Sequence, residues 1–139
     1  MRTRQRAWLP VTTLAALILL VTACAGATTL SSSRGSAGYT EITTEQLATM
    51  LEEKDFTVVN VHIPYEGEIP QTDLFIPFGE ITDHLEDLPA KDAPIVLYCR
   101  SGSMSTTAAE TLVSLGYTNV MELDGGMRAW DAAGYELLR

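Results

Sequence analysis

Hydrophobic and polar positions alternate along this chain in short blocks of strand and helix length. The clearest strand signal is the apolar, β-branched run 95–98, which is typical of a strand buried on both faces. Further runs at 39–42, 56–61 and 119–123 predict additional strands. Because helical patterns separate these runs, the sequence predicts one α/β domain with a mainly parallel sheet covered by helices on both faces.

The helical patterns have recognisable starts and stops. Thr43 and Gln46 form a capping-box pattern at the start of a helix that runs to about Lys54. A second, short helix is predicted around residues 81–88. The remaining two are predicted from a cap at Ser105 or Thr106 to a stop at Gly116, and from Met127 to Ala133.

The N-terminal 38 residues follow a different pattern. Three arginines precede an apolar run, and small residues then lead to Cys24. This pattern predicts a signal peptide at 1–23 rather than a spanning helix, because the apolar run is too short. The cysteine makes the segment resemble a bacterial lipoprotein signal, with Cys24 as the lipidated first residue of the mature chain. An ordinary signal peptide with an incidental cysteine is the alternative.

Residues 24–38 are rich in Ser, Thr, Gly and Ala, which predicts a flexible tether after the lipidated Cys24. We therefore expect a domain at 39–139 that is lipid-anchored to the cell membrane on its extracytoplasmic face. Three of the nine basic residues precede Cys24 and all eighteen acidic residues follow it, so the formal charge from Cys24 onward is −12. So acidic a domain is not expected to bind nucleic acid.

Cys99 directly follows the strand 95–98 and opens a loop rich in Gly and Ser that leads into a helix. Such a loop turns backbone N–H groups inward, and the helix N-terminus adds unpaired donors. These donors stabilise an anion, so they lower the pKa of a thiol and favour the nucleophilic thiolate. A buried structural cysteine is the alternative, but the composition of the loop favours a reactive one.

The run Cys99-Arg100-Ser101-Gly102 resembles the active-site loop of the rhodanese-like (sulfurtransferase) family, and Leu123–Trp130 resembles its Gly-Gly…Ala-Trp segment. The resemblance covers roughly 39–139. It implies a three-layer α/β domain whose Cys99 carries a sulfane sulfur, as a persulfide, from a donor such as thiosulfate to a nucleophilic acceptor, without a cofactor. The substrate-binding loop that it implies consists of Arg100, Ser101, Gly102, Ser103, Met104 and Ser105.

Three positions depart from the family's pattern. Met104 stands where family members commonly carry Arg, and Asn60 and His62 replace the Asp and Arg that usually end the neighbouring strand. Asn60, His62 and Arg128 are candidates for the rim of the site, with Arg128 facing either the site or solvent. Related phosphatases and arsenate reductases need an Arg where this chain has Ser105, because a dianion requires a guanidinium clamp. The same departures favour an alternative function, a non-catalytic binding or sulfur- or redox-sensing module.

The connection 63–78 contains three prolines together with Glu66 and Glu68. We interpret it as a solvated acidic loop at the entrance of the site. Acid–base or metal chemistry at the two glutamates is the alternative, but no ligand set stands at metal spacing around them, and no metal is expected. The expected partner is a small sulfur-containing substrate, and the sequence identifies no protein acceptor.

Overall fold

The computed structural model describes residues 37–139. The predicted signal peptide at 1–23, the lipidation site Cys24 and the tether as far as residue 36 lie outside the described residues. Ala37, at the end of the predicted tether, already packs against the core of the domain. Among residues 37–139, no helix combines the length and the apolar character needed to cross a membrane.

Short strands and helices alternate along the described part of the chain. The strands are β1 (Thr40–Ile42), β2 (Thr57–Asn60), β3 (Leu74–Phe75), β4 (Ile95–Tyr98) and β5 (Val120–Leu123). The α-helices are α1 (Thr44–Glu52), α2 (Ser103–Ser114) and α3 (Gly126–Ala132), and a 3-10 helix spans Phe78–His84. The predicted capping box begins α1, where Thr43 and Gln46 exchange side-chain to backbone hydrogen bonds of 2.7 and 3.3 Å.

The five strands form one parallel sheet in the order β1-β5-β4-β2-β3. The central strand β4 lies between β5 and β2, and all four of its residues are fully buried. Because every strand runs in the same direction, the carboxyl ends of β2, β4 and β5 meet at one edge. This is the edge from which Cys99 emerges.

Successive residues of β4 point to opposite faces of the sheet, as a strand requires. Ile95 and Leu97 belong to one apolar core, while Val96 and Tyr98 belong to the other. The first core includes α2 and the 3-10 helix, and the second includes α1 and α3. The predicted three-layer α/β architecture is therefore confirmed, and burial on both faces explains why β4 is continuously apolar.

The start of α2 is a correction to the predicted cap at Ser105 or Thr106. The helix begins at Ser103, so Ser105 lies in its first turn. Gly102 makes the earlier start possible: its φ of 104° lies in the region that favours glycine, and it turns the chain sharply into the helix. The loop that holds the sulfur is consequently shorter than expected.

Three smaller corrections concern segments with weak local signals. The connection predicted at 63–78 contains β3, which pairs with β2 and was not predicted. A strand of two residues has no periodicity for a sequence to display. The helix α1 ends at Glu52 rather than Lys54, and the short helix predicted around 81–88 is the 3-10 helix, which ends at His84.

Candidate active site

Cys99 lies directly beyond β4, with 2% of its surface exposed. Its Sγ accepts hydrogen bonds from the backbone N–H of Gly102 at 3.1 Å and from the hydroxyl of Ser105 at 3.4 Å. Burial alone would raise the pKa of the thiol. Hydrogen bonds from Ser105 and from the backbone of Ser101 and Gly102 outweigh burial, so the pKa of Cys99 is lowered. The site thus favours a thiolate, as the loop composition predicts.

Ser105 connects the sulfur to a buried carboxyl group. Its Oγ lies 2.5 Å from Oε1 of Glu122, 2.9 Å from the carbonyl oxygen of Gly102 and 3.4 Å from Sγ of Cys99. Ser105 is fully buried. A hydroxyl group has one proton, so Ser105 cannot donate to all three acceptors at once.

Glu122, on β5, is a residue that the sequence interpretation missed. It is 2% exposed, and burial raises its pKa to about 7. The charges of Asp124 and Glu41 also raise this pKa, while the hydrogen bond from Ser105 opposes the shift. A signal was present, since a glutamate in an apolar strand of a covered sheet is rarely buried without a partner.

The remaining side chains of the loop diverge from the sulfur. Met104 is half-buried and packs against the apolar core shared by α2 and the 3-10 helix. Arg100 is exposed, and its Nη1 lies 3.2 Å from Oε1 of Glu66. Ser101 and Ser103 are exposed. In the described part of the chain, the donors near the sulfur are therefore backbone groups and Ser105, with no cationic side chain among them.

Asn60 is a correction to the predicted rim. It is completely buried at the end of β2, where its Nδ2 donates to the carbonyl oxygen of Gly67 and its Oδ1 accepts the backbone N–H of His62, both at 3.0 Å. Its side chain therefore holds the start of the connection 63–73 in place. It is an interior tie between β2 and that connection, not a group that lines the entrance.

His62 is 6% exposed and is likewise an interior residue rather than a rim residue. Its Nε2 lies 3.3 Å from Oε2 of Glu66, which is within ion-pair distance. The angles are wrong for a hydrogen bond, and within residues 37–139 neither ring nitrogen has a hydrogen-bond partner. The Glu66 carboxylate thus lies between His62 and Arg100.

A cavity of about 380 Å³ opens beside Arg100. Its lining residues are Glu66, Arg100, Met127, Arg128, Asp131, Leu137 and Arg139. All three arginines of the described residues line it. Arg139 pairs with Asp131 at 3.4 Å, whereas Arg128 is exposed and forms no ion pair within residues 37–139. Arg128 therefore lines the cavity and is exposed to solvent, and its place at the rim of the sulfur site stays a prediction.

Two contacts hold the connection 63–73, which contributes Glu66 to the cavity. The backbones of Glu68 and Leu138 exchange hydrogen bonds of 2.8 and 2.9 Å, which join the connection 63–73 to the segment after α3. The buried hydroxyl of Tyr98 accepts the N–H of Ile69 at 3.0 Å and lies 2.7 Å from Oγ1 of Thr72. Burial raises the pKa of Tyr98 to about 12, so this hydroxyl keeps its proton.

The match to known proteins agrees with this geometry. The family model of the rhodanese-like domain matches residues 43–133, which include β4, the cysteine loop and α3. The chain belongs to the rhodanese-like domain family. The family resemblance that the cysteine loop and the segment Leu123–Trp130 suggested is therefore confirmed.

Several bacterial proteins are similar to this chain over most of their own length. A sulfurtransferase from Allochromatium vinosum is 35% identical over 102 residues, which cover 70% of this chain and 94% of that protein. The thiosulfate sulfurtransferase GlpE from Pseudoalteromonas translucida is 30% identical over 68% of this chain and 91% of that protein. The relatives of this chain therefore include proteins named as sulfurtransferases.

Solved structures show the same fold. A rhodanese-like domain protein from Staphylococcus aureus has a TM-score of 0.61 and 33% identity, covering 71% of this chain and 95% of that one. A rhodanese-related protein from Thermoplasma volcanium also has a TM-score of 0.61, with 28% identity over 70% of this chain and 96% of that one.

Proposed function

We propose that this protein is a sulfurtransferase that carries a sulfane sulfur on Cys99. The thiolate attacks the outer sulfur of a donor such as thiosulfate, a new S–S bond forms to Cys99, and the S–S bond of the donor breaks. Sulfite leaves with the electron pair of the broken bond. The persulfide Cys99–S–S⁻ then gives its outer sulfur to a nucleophilic acceptor, and the thiolate of Cys99 is regenerated.

The observation that carries this proposal is the set of donors around Sγ of Cys99. The N–H of Gly102 at 3.1 Å and the hydroxyl of Ser105 at 3.4 Å stabilise a negative charge, and no cationic side chain from residues 37–139 joins them. A thiolate and a persulfide each carry one negative charge, which such donors can balance. A phosphoryl dianion would need a bidentate guanidinium, and Arg100 is directed to Glu66.

A cluster of arginines offers the anionic donor a route of approach in this otherwise acidic domain. Arg100, Arg128 and Arg139 line the cavity beside the loop, and Arg128 keeps its charge free of a carboxylate within the described residues. An unpaired guanidinium attracts anions from solvent. We assign to Arg128 the attraction of a small anionic sulfur donor towards the loop, because Arg100 is already paired with Glu66.

The test is sulfur loading followed by mass spectrometry of the intact protein. The Cys24→Ala chain contains Cys99 as its only thiol, because the sequence has two cysteines. After incubation with thiosulfate, this variant should gain one sulfur atom that is released by cyanide. The double variant Cys24→Ala/Cys99→Ser should gain none, since a serine hydroxyl is not ionised in this site. Loading of the double variant, or no loading of Cys24→Ala, would contradict the proposal.

A second candidate is a non-catalytic binding or sulfur- or redox-sensing module that keeps the fold but has lost efficient turnover. Met104 favours it, because this side chain packs into the core and supplies no charge to the substrate. A single incubation with excess thiosulfate and excess cyanide together separates the two functions. An enzyme produces thiocyanate in large excess over protein, while a sensing module produces at most about one equivalent.

We also propose that Cys24 is lipidated and holds the domain at the extracytoplasmic face of the bacterial cell membrane. The support is the order of arginines, apolar run and small residues before Cys24. Radiolabelled palmitate should be incorporated into the parent chain and not into Cys24→Ala, which should leave the membrane fraction. Unchanged membrane association of an unlabelled Cys24→Ala chain would contradict lipid anchoring.

A further inference from the structure

We propose that Glu122 is a positioning residue that controls the charge state of Cys99 through the hydroxyl of Ser105. The inference deepens the proposed function, and its meaning for catalysis rests on that function. The coupling itself concerns only the proton positions of the three side chains. It can therefore be measured whether or not the protein transfers sulfur.

The geometry gives the hydroxyl of Ser105 two alternative hydrogen-bond arrangements. With Glu122 ionised, the carboxylate is the strongest acceptor in reach, and Ser105 donates its proton to Oε1 at 2.5 Å. With Glu122 protonated, the carboxyl O–H donates to Oγ of Ser105. The proton of Ser105 then points either at the carbonyl oxygen of Gly102, 2.9 Å away, or at Sγ of Cys99, 3.4 Å away, and an ionised sulfur is the stronger acceptor because it carries a charge.

Only one of these arrangements stabilises the thiolate. A protonated Glu122 turns Ser105 into a donor to the sulfur, and it adds no second negative charge to a buried site. An ionised Glu122 removes that donor and places a like charge near the thiolate, which raises the pKa of the thiol. The site thus favours one negative charge, located either on Glu122 or on Cys99.

The surroundings of Glu122 leave Ser105 as its principal partner. On the neighbouring strand β1, Glu41 is paired in register with Glu122, and Asp124 lies two residues further along the sequence. Both are acidic and raise the pKa of Glu122. The residue beside it on β4 is the apolar Leu97. The buried residues of α2 are Ser105, Ala108, Ala109 and Leu112. Within residues 37–139, Glu122 forms no ion pair with a cation.

The consequence is a pH dependence that is broader than that of a single thiol. The pKa of Glu122 is about 7, so below neutrality it is mostly protonated and Ser105 supports the thiolate. As the pH rises through 7, Glu122 ionises and the remaining thiol loses this support. The thiolate fraction therefore rises with pH less steeply than one independent group would allow.

Alkylation of Cys99 by iodoacetamide, followed from acidic to alkaline pH, tests this coupling. It needs no sulfur donor, so its outcome is separate from that of sulfur loading. We use the Cys24→Ala chain, in which Cys99 is the only thiol. This parent should show a broad rise in rate, which fits two apparent pKa values rather than one.

Glu122→Gln should convert the broad rise into a single titration at lower pH. Gln is close in shape, cannot ionise, and can donate an N–H to Oγ of Ser105 at every pH. We expect the apparent pKa of Cys99 to fall by about one unit, which is a tenfold gain in thiolate where the thiol predominates. Glu110→Gln is the matched control, because Glu110 is an exposed glutamate of α2 and its loss should leave the profile unchanged.

The double variant Glu122→Gln/Ser105→Ala separates an effect transmitted through the hydroxyl of Ser105 from a general charge effect of Glu122. Ser105→Ala should shift the profile to higher pH, and Glu122→Gln should then change it much less than in the parent background. An unchanged profile in Glu122→Gln, or an equally large effect of Glu122→Gln in the presence and absence of Ser105, would overturn the proposal. If Glu122→Gln does not fold, Ser105→Ala decides alone, and an unshifted profile in it overturns the proposal.

Discussion

The backbone N–H of Met127 donates a hydrogen bond to the carbonyl oxygen of Cys99 at 2.9 Å. The next N–H, that of Arg128, donates to the carbonyl oxygen of Arg100 at 3.0 Å. The first turn of α3 is therefore held against the backbone of the sulfur loop. Gly126 permits this approach: a Cβ there would collide with the carbonyl of Cys99, and its φ of 54° is one that side chains rarely adopt.

Gly126→Ala should destabilise the protein and disturb the loop. The strained backbone alone costs about 1–3 kcal/mol, and the collision with Cys99 adds to it. Urea unfolding should show this loss, together with a changed rate of alkylation of Cys99. Gly79→Ala is the matched control, because nothing lies within 4 Å of the added methyl group. Equal stabilities of the two variants would mean that α3 is not held against the loop.

Asn60→Leu should also destabilise the fold. The replacement is of similar size but leaves the carbonyl oxygen of Gly67 and the N–H of His62 buried without their partner. Each unsatisfied group costs about 1–3 kcal/mol, so the free energy of unfolding should fall by at least about 2 kcal/mol. The exposed Asn119 provides the control Asn119→Leu. A loss no larger than that of the control would refute the role of Asn60 as a tie.

Met104→Arg should raise kcat/KM for thiosulfate, because it adds a cation at the loop. A hydrogen bond from a charged group contributes about 1.5–3 kcal/mol, which sets a ceiling of about ten- to a hundredfold. The gain should be partial, since Asn60 and His62 offer no carboxylate to orient the guanidinium. Met104 packs against the core, so stability should fall in the same variant. Met104→Leu, without the charge, controls for packing; if it matches Met104→Arg in steady-state kinetics, Met104 does not limit transfer.

Arg128→Gln should raise KM for thiosulfate with little change in kcat. Arg128 is exposed, so the loss of its attraction should amount to about 0.2–1 kcal/mol, or a few-fold in KM. Lys91→Gln removes the same charge near the carbonyl oxygen of Leu115, at the far end of α2. Only Arg128→Gln should show the effect, and high salt should abolish it. An equal rise in both variants would assign the effect to net charge.

The parts of the fold that the sequence predicted depend on short-range signals. The apolar run 95–98 has the same bounds as β4 in the structure, because a strand that is buried on both faces is apolar at every position. The capping box formed by Thr43 and Gln46 is likewise a local pattern of two residues. Cys99 was also predicted as the reactive residue from a local signal, because the glycine and serines that follow it in the sequence are typical of a tight loop.

The parts that were missed depend on contacts between distant segments. Glu122 is seventeen positions from Ser105 and reads as an ordinary polar residue until Gly102 brings the first turn of α2 over β5. Asn60 was predicted at the rim of the site because it ends a strand. Its side-chain amide instead donates a hydrogen bond to Gly67, in the connection that folds back over it. Neither contact has a local signature, so each requires the completed sheet.

The depth of Cys99 also restricts which oxidised products it can form. A disulfide requires the two Cα atoms to approach within about 4.4–6.8 Å, and Cys99 is 2% exposed beneath a loop that is clamped by α3. A cysteine on the surface of another folded protein cannot come so near without opening that clamp. Small oxidants and low-molecular-weight sulfur compounds can still reach the sulfur. The depth of Cys99 therefore favours its reaction with small molecules over a disulfide with another folded protein.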